Sequence, residues 1–74
     1  PSTTISYYVP EASQVTLEVD DAAGRLVRRL VDREKQPRGV HETHWMAQGI
    51  ASGVYVYRLH TGDKAISKKM VLLR

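Results

Sequence analysis

The 74-residue chain contains no Cys and no Phe. Without Cys there is no disulfide staple and no thiolate metal site, so a domain of this size depends on its hydrophobic core and backbone ladder alone. The same absence leaves the compartment open. No run approaches the about 18 apolar residues that a membrane-crossing helix needs. The opening "PSTTISYYVP" has no basic segment leading into an apolar one, so it does not read as an N-terminal export signal. It also lacks Met, and the chain reads as a piece cut from a longer protein. Charge of one sign is not strongly dominant. Eleven cations against eight acids give +3, a bias too weak and dispersed for nucleic-acid binding. Residues 1–74 suffice for one small core and are read as a single domain.

Catalytic signals are also missing. The five glycines, Gly24, Gly39, Gly49, Gly53 and Gly62, fit turns, and none belongs to a phosphate-binding loop. Thr43 lies near histidines but has no Gly-rich elbow or oxyanion signal beside it. His41 and His44 lie three apart, which on a strand puts them on opposite faces, and His60 belongs to another segment. Asp20, Asp21 and Asp32 read as turn carboxylates that cap or solvate backbone, with a calcium site as the sharper alternative. Neither a cofactor nor a bound metal is expected, and the chain does not read as an enzyme.

What the sequence does contain is alternation. Residues 3–9 place Ile5, Tyr7 and Val9 on one face, and Pro10 ends the run because Pro donates nothing to a ladder. Residues 14–21 place Val15, Leu17 and Val19 inward, with Thr16, Glu18 and Asp20 outward. Residues 21–24, "DAAG", read as a turn. The run 25–31, "RLVRRLV", admits two readings. A helix would put Leu26, Val27, Leu30 and Val31 on one stripe, with the cations opposite. A strand would put Leu26 and Leu30 inward, and the preceding strand and turn favour it. Residues 32–39 read as a polar connection, interrupted by Pro37 and Gly39. Residues 40–46 put His41, Thr43 and Trp45 on one side, and 47–53 form a loop. Residues 54–61 open "VYVY", every one β-branched or aromatic. "GD" at 62–63 is a two-residue hairpin turn, and 64–73 is the closing strand.

Short strands with a turn about every ten residues predict an all-β fold. The expectation is a small antiparallel β-sandwich of the immunoglobulin or fibronectin-III kind, with six to seven strands. Trp45, Tyr55 and Tyr57 are expected to fill its core. Tyr7 and Tyr8 fall on opposite faces, so no coplanar aromatic row for stacking on sugars is evident. The closing segment, "KAISKKMVLLR", carries four cations and no acid. Two readings stand side by side: an open edge strand read by strand addition, whose Lys64, Lys68 and Lys69 discourage random pairing and steer toward acidic partners, or lysines that merely solvate an edge while Ile66, Met70 and Leu72 pack inward.

Several pieces occur together and in order: the opening "PSTTI-Y-VPE", the hairpin "V-L-V-D-GR-V--LVD", "G-H---W", "SGVY-YRL--G" and the closing "KKM-LL". Over its full length the chain resembles the C-terminal sorting domain of type IX secretion cargo. That family overlaps with the immunoglobulin-like domain of the flagellar hook-capping protein. Two places depart from the family pattern. Met46 and Ala47 stand where an acidic residue and Gly are common, and Asp20 and Asp21 stand where an aromatic precedes Asp.

The resemblance implies a function without catalysis. Such domains end exported proteins and follow an N-terminal cargo domain. The type IX outer-membrane translocon reads them, and a surface sortase-like peptidase removes them and anchors the cargo. The implied location is secreted or cell surface, reached through the periplasm. The positions matching the recognised motifs are Gly53, Val54, Tyr55, Lys68, Lys69, Met70, Val71 and Leu72. Two other classes stay open at this point: an immunoglobulin-like structural spacer, and a carbohydrate-binding accessory module of a secreted hydrolase.

Overall fold

In the computed structural model, which describes residues 2–73, the alternating runs become six strands. They are β1 (Ser2–Val9), β2 (Ser13–Asp21), β3 (Leu26–Gln36), β4 (Gly39–Met46), β5 (Gly53–Thr61) and β6 (Lys64–Leu72). Pro1 and Arg74, the latter counted above among the closing cations, lie outside the described residues. β1 and β4 form a two-stranded sheet, and the other four form a sheet ordered β3-β2-β5-β6. Every pairing is antiparallel. The result is a small immunoglobulin-like sandwich with no helix among the described residues.

One cluster joins the layers. Ile5, Tyr7, Val9 and Trp45 come from the two-stranded sheet. Val15, Leu17, Val19, Val31, Tyr55, Leu59 and Leu72 come from the four-stranded one. Val15, Leu17 and Val19 are completely buried, as the period-two pattern of β2 requires of a central strand. Each such side chain contributes about 1.5–3 kcal/mol relative to exposure. Trp45 meets Tyr55 edge-to-face with ring centroids 6.4 Å apart. Tyr7 stacks on His41 and donates its hydroxyl to the buried Gln36 Oε1 at 2.7 Å. The His41 Nε2–H in turn donates to the Pro37 carbonyl at 2.7 Å, which ties down the short β3–β4 turn.

Four local expectations are corrected. The segment 25–31 is extended, but β3 continues to Gln36, so the connection to β4 is only Pro37 and Arg38. Asp32 therefore lies within a strand and not at a turn, and Asp20 likewise lies inside β2. Asp20 does point away from the core, yet it is 5% exposed and makes a 2.9 Å ion pair with Arg58 on β5. Leu26 is half exposed, because the β2–β3 register shifts between Val19 and Asp20. Ile66 is also half exposed, because the two-stranded layer does not cover that part of β6.

Asp21 behaves as expected of a turn carboxylate. Its Oδ1 accepts the Ala23 and Arg25 amide N–H groups, each at 2.9 Å, and Oδ2 accepts from Arg25 Nε at 3.0 Å. The Arg25 amide is the leading cause that holds this carboxyl below the usual carboxylate range. Gly24 closes the turn at φ 87°, a conformation that L side chains rarely adopt.

Candidate recognition hairpin

The positions singled out by the motifs are separated in sequence, yet they face one another across a single ladder. Gly53 pairs with Leu72, Val54 with Val71, and Tyr55 with Met70; Val56 and Tyr57 continue the ladder opposite Lys69 and Lys68. The cause is the turn. Gly62, at φ 60°, and Asp63 reverse the chain in two residues, so Thr61 pairs with Lys64. From that point nine pairs follow without a shift.

Alternation divides the hairpin into two faces. Tyr55, Leu59 and Leu72 point into the core and are nearly inaccessible, and Met70 is half-buried beside them. Tyr55 is further fixed by its hydroxyl, which donates to the Ala51 carbonyl at 2.6 Å and closes the 47–52 loop. On the outer face Val54 and Val71 are adjacent and exposed, with Lys69 next to Val56. Gly53 lies in the left-handed half of conformational space at φ 156°, and a Cβ there would meet no atom within 4 Å. Its requirement is conformational and not steric.

β6 has β5 on one side and, among the described residues, no strand on the other. Its outer N–H and C=O groups are therefore available for pairing. Lys64, Lys68 and Lys69 are exposed and make no ion pair among the described residues. On β2, two strands from β6, the acids are engaged: Glu18 binds Arg29 at 2.8 Å, and Asp20 binds Arg58. Glu18 raises the pKa of Arg29, chiefly through their hydrogen bond. The strand's charge is thus uncompensated within the sheet.

Among the described residues no group of three or more His, Cys, Asp or Glu is placed to hold a metal. His41 and His44 do fall on opposite faces of β4, and His44 Nδ1 lies 3.1 Å from Thr4 Oγ1 on the outer surface. Shallow depressions of about 250 Å³ and about 280 Å³ lie beside the Gly62 turn and between Thr16 and Arg33. What sequence reasoning missed is the pairing of Asp20 with Arg58, which braces the outer face of β5. A buried carboxylate on a polar-patterned face leaves no signal in hydropathy.

No curated protein and no solved structure matches the chain significantly. A family model described as secretion system C-terminal sorting domain matches residues 2–73, nearly the whole chain. A protein carrying such a type IX sorting signal is one that is secreted or held at the cell surface. The chain belongs to the family of secretion system C-terminal sorting domains.

Proposed function

We propose that the type IX outer-membrane translocon reads this domain through the open edge of β6. The observation that carries this reading is the edge itself: nine residues in one unbroken register, unpaired on the outside, with three exposed lysines and no acid. Strand addition gives a partner main-chain hydrogen bonds, and side chains on the two faces give it selectivity. Val54, Lys68, Lys69 and Val71 are the groups a partner touches. Gly53, Tyr55, Met70 and Leu72 act from beneath, by holding the hairpin straight and seated on the core.

The cargo domain precedes this chain and crosses the periplasm with it. A surface sortase-like peptidase then removes the domain and anchors the cargo. The domain performs no reaction of its own.

Deleting residues 65–74 from the full-length parent tests the reading. The truncated parent should remain in the periplasm, measured by cell fractionation. Normal surface display of the truncated parent removes the proposal.

A further inference from the structure

β6 differs from an ordinary sandwich strand in being exposed on both faces. Of its nine residues only Leu72 is buried and Met70 half-buried. Register places Ile66 beside Leu59 and Lys68 beside Tyr57, on the core side of the sheet. Leu59 is 3% exposed whereas Ile66 is 50% exposed. The core cover therefore reaches the Met70–Leu72 end of β6 but not Ile66, in keeping with two strands lying over four. The Lys64–Lys69 part of β6 projects past it like a blade. Its inner face offers Ile66, Lys64 and Lys68; its outer face offers Val71, with Val54 alongside, and Lys69.

Resting on the reading that β6 is the recognised strand, we infer that the partner is a protein cleft that closes on both faces of β6. Its walls are apolar where they meet Ile66 and Val71 and carry carboxylates where they meet Lys64, Lys68 and Lys69. A partner that only added a strand to the edge would leave the apolar groups of both faces in water and gain nothing from them. A flat anionic membrane would reach one face at a time. A cleft gains from both, and its desolvating walls then require acids opposite the lysines, because a buried unpaired charge is costly. The one acid of the hairpin, Asp63, lies in the turn and forms no ion pair with these lysines among the described residues, and Glu18 and Asp20 on neighbouring β2 are engaged by Arg29 and Arg58.

The test uses the full-length parent in its secreting host, with thermal melts of the isolated 1–74 chain as a folding control. Ile66→Glu on the inner face and Val71→Glu on the outer face should each lower the exported fraction about tenfold, the loss expected from about 1.4 kcal/mol of binding. Lys68→Glu with Lys69→Glu should do the same, while Lys68→Arg with Lys69→Arg retains export. Unchanged melts assign these losses to recognition. A loss confined to one face overturns the cleft and leaves one-sided docking. Full export of both glutamate variants, with the deletion of 65–74 still retained inside, overturns the cleft and spares the edge reading. Lysine-dependent binding of the wild-type chain to phosphatidylglycerol vesicles, with export insensitive to Ile66→Glu, overturns it in favour of a lipid surface.

Discussion

β3 and β6 both border the four-stranded sheet, yet β3 runs through three register shifts while β6 keeps one register along its length. At the bulged edge Arg33 is held at φ 48°, with its amide N–H donating to Thr16 Oγ1 at 3.2 Å. Arg28, Arg29, Asp32, Arg33, Glu34 and Lys35 crowd that strand with both signs of charge. Bulges and mixed charge twist an edge away from foreign strands. β6 has neither device. Three lysines guard it, and its last residues, Met70 to Leu72, are apolar. One sheet thus has a blunted border and a legible one. Accessibility of the backbone, more than the presence of charge, separates them.

The largest test of this contrast is Leu72→Ala. Leu72 is 2% exposed and is the one buried side chain of β6. Its truncation should cost about 2–5 kcal/mol in urea unfolding and should raise amide exchange along β6 before β3. Uniform exchange across both edges would mean that β6 is not separately seated. Next, Lys68→Thr with Lys69→Thr should make the chain self-associate, because the flat edge then lacks its guards. Sedimentation should show concentration-dependent dimers or larger species. The matching change of Arg28 and Glu34 to Thr on β3 should leave a monomer. If neither variant associates, the lysines are not what keeps β6 single.

A smaller effect concerns the bulge. Arg33→Gly should be neutral or stabilising by up to about 1 kcal/mol, because glycine accepts a positive φ without the cost that arginine bears. A clear destabilisation would show that the arginine side chain, and not the backbone shape, maintains that border. The smallest effect is at the β2–β3 turn. The Asp21 carboxyl titrates below its ordinary value, so its contribution is present above the ordinary carboxylate range and is lost as pH falls through the folded value. Asp21→Asn should therefore differ from wild type at neutral pH and converge with it in acid, as followed by thermal melts.

Most of the fold was legible because most strands face a core on one side. Val15, Leu17 and Val19, or Ile5, Tyr7 and Val9, announce themselves by period two. The legible part ends where that physical cause ends. Between Val31 and Gln36, β3 has no buried side chain, and bulges break what period there is, so Asp32 to Lys35 look like a loop in sequence. Ile66 misled in the opposite sense: it keeps the inward phase of Leu72, but the facing sheet does not extend over it. Phase is written in the sequence, whereas the width of the opposing layer is not. In the candidate site, the pairing of Gly53–Tyr55 with Met70–Leu72 follows from counting outward from the Gly62–Asp63 turn. The burial of Asp20 does not, since it depends on a partner 38 positions away.

The tight reversal at Gly62 has a bearing on assembly. β5 and β6 begin their pairing at Thr61 and Lys64, three positions apart, whereas β1 and β4 begin at Val9 and Gly39, thirty apart. Closing the longer loop forfeits about 2 kcal/mol more chain entropy than closing the shorter one. The β5–β6 hairpin is thus the portion whose formation asks least of distant chain.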